Sequence, residues 1–99
     1  MKVVSNFTRV LGGEHGFKVR ATFNVEIDRD EPYVVFRVER GEPILECLEV
    51  PPGPAGSRTL DFSTKAEAEA FLARLVDACR RLKEAWEGVE LPGNKEIEI

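Results

Sequence analysis

The stretch FKVRATFNVEI, residues 17–27, alternates apolar and polar side chains from end to end. Phe17, Val19, Ala21, Phe23, Val25 and Ile27 fall on one side, and Lys18, Arg20, Thr22, Asn24 and Glu26 on the other. A two-residue period is the mark of a β-strand with one buried face. The odd-numbered set therefore belongs to a core. The even-numbered set lines either a wet sheet face or a surface that holds a ligand.

The flanking segments extend this strand into a sheet. Residues 3–11, VVSNFTRVL, are rich in β-branched side chains and read as a strand, closed by the turn Gly12-Gly13-Glu14-His15-Gly16. On the other side, Asp28 to Pro32 turns the chain into YVVFRVER, residues 33–40. Val34, Phe36 and Val38 form the core set of that strand. Antiparallel partners share a face, so the expected hairpin pairs Ile27 with Val34, Val25 with Phe36 and Phe23 with Val38. Its other face joins Glu26 to Val35, Asn24 to Arg37 and Thr22 to Glu39, a surface of mixed character.

A turn at Gly41-Glu42-Pro43 leads to ILECLEV, residues 44–50, where the alternation fails. Ile44, Leu48 and Val50 lie on one face, Leu45 and Cys47 on the other. A strand apolar on both sides calls for cover on both sides. Together with Val35, one of these sets gives the outer sheet face an apolar area. Two readings are open: a terminal segment of the chain covers it, or a subunit or partner does. Pro51 to Gly56 is a stiff proline-rich loop, and residues 57–62 return to strand with Leu60 and Phe62 inward.

Helical signals begin at Thr64-Lys65-Ala66-Glu67, a capping box with Ser63 as a competing cap. Apolar residues then recur at Ala68, Phe71, Leu72, Leu75, Val76, Cys79, Leu82 and Trp86, a stripe of helical period. Asp77–Arg81, Arg80–Glu84 and Lys83–Glu87 are spaced for support along the exposed side, and Gly88 stops the helix. A helix over 64–87 is about 35 Å long, against about 20–30 Å for the strands. Its last turns, with Trp86 and Val89, are expected to overhang the sheet and seek a second partner. In the tail, 88–99, KEIEI alternates again and reads as a candidate edge strand. The whole is one α+β domain over 1–99: an antiparallel sheet of four to five strands at about 3–62, then one long C-terminal amphipathic helix.

Composition narrows function by exclusion. Eighteen acidic against 14 basic residues leave a net charge of −4, without a run of either sign. A protein that grips a phosphate backbone usually carries a basic excess. No stretch approaches a membrane span and no signal-peptide pattern opens the chain, so a cytoplasmic location with no membrane partner is expected. The absence of glutamine, with three Asn and one Met, leans toward a thermophilic source. Cys47 and Cys79 lack metal-ligand spacing and read as core packing. His15, the only histidine, reads as an exposed turn residue. No triad, phosphate loop or calcium loop is present. The chain is therefore expected not to be an enzyme, with no catalytic residues, no metal and no cofactor.

Two binding classes remain. Lys18, Arg20 and Arg37, with Tyr33 as a stacking platform, sit on strands where single-strand binders place such groups. The order of antiparallel strands followed by a long helix, with the junction TLDFSTKAEA at residues 59–68, resembles the transcriptional coactivator PC4 and its bacterial and phage relatives. The resemblance covers roughly residues 17–83. It implies a dimer that binds single-stranded DNA in transcription regulation, with Lys18, Arg20 and Arg37 as backbone contacts. Glu26, Glu39, Glu46 and Glu49 depart from that pattern by placing negative charge among the strands. The other class is a regulatory protein-binding module, with Val35, Leu45, Cys47, Trp86 and Val89 as interface. A homodimer working through protein–protein association is the expectation. Single-stranded nucleic-acid binding is the alternative.

Overall fold

A computed structural model describes residues 1–12, 16–48 and 56–87. His15, Val50, the proline loop at 51–55, Gly88, Val89 and the KEIEI tail lie outside the described residues. Five antiparallel strands precede one helix: β1 (Lys2–Leu11), β2 (Phe17–Glu26), β3 (Tyr33–Glu39), β4 (Glu42–Leu48), β5 (Ser57–Phe62) and α1 (Lys65–Glu87). This is the α+β architecture expected from the pattern, with the strands divided between two sheets. One sheet has the order β1-β2-β5, and the other is the hairpin β3-β4.

The expected pairing of residues 17–27 with 33–40 does not form. Both edges of β2 are taken, by β1 on one side and β5 on the other. With β1, Val25 faces Val3, Phe23 faces Ser5 and Ala21 faces Phe7; with β5, Val19 faces Phe62 and Ala21 faces Leu60. β3 pairs with β4 instead, placing Phe36 opposite Leu45 and Val34 opposite Cys47. The turn at 28–32 reverses the chain without joining its flanking strands. The α-amino group of Met1 donates to Asp28 Oδ2 at 2.8 Å and to Glu31 Oε1 at 2.5 Å, tying that turn to the start of β1.

The β3–β4 connection is tighter than the expected turn at Gly41-Glu42-Pro43. Strand pairing continues to Glu39–Glu42, leaving only Arg40 and Gly41 between the strands. Both have positive φ, 50° and 78°, the signature of a type I′ turn, whose twist matches that of the hairpin. Pro43 sits within β4 opposite Val38, which a strand at a sheet edge tolerates.

Both sheets deliver side chains to one core. Ala21, Phe23 and Val25 from β2 and Val34 and Phe36 from β3 join Phe71, Leu75 and Cys79 from α1. Phe71 lies 4.9 Å from Phe23 and 5.7 Å from Phe62, ring centre to ring centre. Between the sheets β3 meets β5 loosely, with the Arg58 guanidinium 6.0 Å from the centre of the Phe36 ring. The helix bridges this division because its apolar stripe is continuous. Thr64 is its N-cap: the Glu67 amide donates to Thr64 Oγ1, and Glu67 Oε2 accepts from the Ser63 amide, both at 3.2 Å. Asp77–Arg81 pairs along the helix as expected. Arg80–Glu84 and Lys83–Glu87 do not; Arg74 instead reaches across to Glu42 on β4 at 3.3 Å.

The helix does not overhang. Trp86 is half-buried, and its indole N–H donates to Cys47 Sγ on β4 at 3.0 Å. The element that runs past the core is the β1–β2 hairpin. Its ladder continues to Leu11–Phe17, two pairs beyond Val19, where β5 ends.

Candidate functional site

The polar face of β2 is built as cross-strand pairs with β5. Arg20 lies directly opposite Asp61 and meets it with two hydrogen bonds, Nε to Oδ1 at 2.9 Å and Nη2 to Oδ2 at 3.3 Å. That contact holds the Asp61 carboxyl below the usual carboxylate range and raises the Arg20 guanidinium. Thr22 and Thr59 share a hydroxyl hydrogen bond at 3.1 Å. Lys18 is half-buried and runs its aliphatic stem beside Gly12.

Arg37 and Tyr33 occupy the outer face of the other sheet. Arg37 bonds Glu46, its neighbour across the hairpin, and lies 3.8 Å from Glu39. Exposed Tyr33 stands opposite Leu48. The four candidate nucleic-acid contacts are thus split between two sheets, and each arginine faces a carboxylate. A phosphate would have to displace Asp61 or Glu46 to reach them, which removes much of the gain from counterion release.

The candidate interface residues do not share a surface either. Val35 lies on the outer face of β3–β4, opposite Glu46. Leu45 packs against the core from the inner face. Cys47 and Trp86 satisfy each other. Val89 is outside the described residues.

Sequence reasoning missed the surface that stands out. β1 and the tip of β2 carry Leu11 at 85% exposure, Phe17 at 49%, Val4 at 44% and Phe7 at 37%. Phe7 touches the core only edge-on, 6.0 Å from Phe23, and Arg9 lies over the face of Phe17 at 5.2 Å. Leu11 and Phe17, at the end of the ladder past β5, have no third strand over them among the described residues, and such exposed apolar groups mark a contact surface. The signal in the sequence was Val3 to Thr8, six residues without charge, glycine or proline.

Elsewhere the chemistry is quiet. A concavity of about 270 Å³ between β1 and α1 is lined by Met1, Val3, Val76 and Cys79, with Lys2, Arg80 and Lys83 at its rim. Burial pushes the Cys79 thiol up to about 11, the opposite of what a nucleophile needs. Among the described residues, no group of three or more His, Cys, Asp or Glu side chains could hold a metal ion, and no helix is long and apolar enough to cross a membrane. No protein-family model matches this chain, and comparisons with curated proteins and with solved structures find no match.

Proposed function

We propose that this chain is a non-catalytic binding or regulatory domain that works through protein–protein association as a homodimer. The observation that carries the reading is the set of exposed apolar side chains on the β1–β2 hairpin: Leu11 and Phe17 lie past the end of β5, Phe7 shares their face, and Val4 is exposed on the opposite face. The pairing of Arg20 with Asp61 and of Arg37 with Glu46 supports it over the PC4-like alternative. Sedimentation velocity tests it. The wild-type chain sediments as a dimer at micromolar concentration, and Leu11→Lys shifts it to monomer with an unchanged circular dichroism spectrum. A wild type that stays monomeric at about 100 μM, above the range of ordinary specific affinities, overturns the reading. Fluorescence anisotropy with single-stranded DNA and RNA at two salt concentrations tests the alternative. Binding that weakens steeply with salt would put nucleic acid in place of the protein partner.

A further inference from the structure

β1 is an outer strand of its sheet, so one row of its backbone N–H and C=O groups has no ladder partner in the described chain. Monomeric proteins usually blunt such an edge with charge, proline or a bulge, because a bare edge pairs with other chains. Here the register with β2 runs unbroken from Lys2 to Leu11, without a bulge. The middle of the strand, Val3-Val4-Ser5-Asn6-Phe7-Thr8, carries neither charge nor proline. Charge in this strand is confined to Lys2 and Arg9, near its two ends.

We propose that β1 pairs antiparallel with β1 of a second copy, joining two three-stranded sheets into one of six strands with Phe7 on the twofold axis. This rests on the homodimer reading and specifies its contact. A twofold normal to the sheet keeps both core faces, and both helices, on one side. Directly opposed residues must then share parity, so the axis passes through a residue. With the axis at Phe7, Val4 meets Val10, Val3 meets Leu11, Phe7 meets Phe7, Asn6 meets Thr8 and Ser5 meets Arg9. Every exposed apolar residue of β1 gains an apolar partner, and neither Lys2 nor Arg9 meets a like charge. An axis at Asn6 sets Val3 against Arg9 and Val10 against Lys2. An axis at Ser5 leaves Leu11 unpaired.

Cross-linking reads out both the edge and the register. Val4→Cys and Val10→Cys chains are made separately on a Cys47→Ser background and mixed under mild oxidation. Both positions lie on the face away from the core, and opposed residues of an antiparallel pair stand at disulfide distance. A disulfide-linked dimer forms in the mixture and in neither variant alone. Val4→Lys, which places charge on the edge and removes both Val4–Val10 pairs of the twofold contact, weakens dimerisation by about tenfold. A wild type that is dimeric, with no cross-link in the mixture or with Val4→Lys unaffected, overturns the β1 contact and leaves the homodimer reading standing. Self-cross-linking of Asn6→Cys in place of the Val4–Val10 mixture overturns the Phe7 axis. A monomeric wild type overturns both readings together.

Discussion

Replacing Phe71 by alanine tests whether one core holds the two sheets together. Phe71 is buried, with Phe23 and Phe62 against its ring and the Arg74 guanidinium 5.8 Å from its centre on the solvent side. Truncating a buried Phe to Ala costs about 3–5 kcal/mol, the range reflecting how far the site can collapse. Collapse is restricted here because Phe23 is held in a strand paired on both edges and Phe62 ends β5. We therefore expect about 4 kcal/mol, out of roughly 5–15 kcal/mol for a domain of this size. At about 4–8 °C per kcal/mol, the melting temperature falls by roughly 16–32 °C. Phe71→Leu keeps most of the apolar area and loses the ring–ring contacts, at about 1–2 kcal/mol. Urea and thermal unfolding followed by circular dichroism at fixed protein concentration measure both variants. Arg81→Ala, which removes an exposed pair with Asp77, is the control and costs at most about 0.5 kcal/mol. A Phe71→Ala loss no larger than the control's would refute the reasoning, because the helix would then not anchor β2 and β5.

Three further outcomes follow from local features. Arg40 has a φ of 50°, a conformation Asn adopts more readily, so Arg40→Asn raises stability by about 0.5–1 kcal/mol in urea unfolding. The Cys79 thiol sits at about 11 against 9.0 for a free thiol. The folded state therefore holds its proton where the unfolded state has lost it, and stability is intact below pH 9 and falls as pH rises toward 11. That alkaline loss disappears in Cys79→Ala, and at pH 8 a thiol reagent modifies exposed Cys47 while leaving Cys79 untouched until the chain unfolds. Asp61 and Asp28 are both held below the ordinary carboxylate range, by Arg20 and by the Met1 amine respectively. Their contribution is present at neutral pH and is lost as pH falls through their lowered folded values. Acid titration of Asp61→Asn shows a shallower decline than the wild type.

The elements themselves were legible in the sequence. The alternation from Phe17 onward is strand, and the stripe from Ala68 to Trp86 is helix with its cap at Thr64, because period and capping chemistry are local properties. Partner choice is not local. The turn at 28–32 announces a reversal, yet β2 had already satisfied both edges with β1 and β5, and no pattern within residues 17–40 reports that. Leu45 and Cys47 read as apolar surplus on a two-sided strand because the helix that covers them lies some 30 residues later. The same reasoning placed Trp86 beyond the sheet by counting helix length against a single sheet, when α1 covers two. The clean run from Val3 to Thr8 was visible throughout. It gained meaning only once β1 proved to be an outer strand.

The helix that spans both sheets is also the last described element of the chain, which gives the molecule a history in time. A hairpin such as β1–β2 closes in about 1–10 μs. At roughly 5–20 residues per second, the 61 residues between the end of β2 and the end of α1 take about 3–12 s to synthesise. Throughout that interval Phe23 and Val25 have no helix to cover them, and β1 already presents its open edge. The β1 contact proposed above is thus open to a second copy before either core has closed.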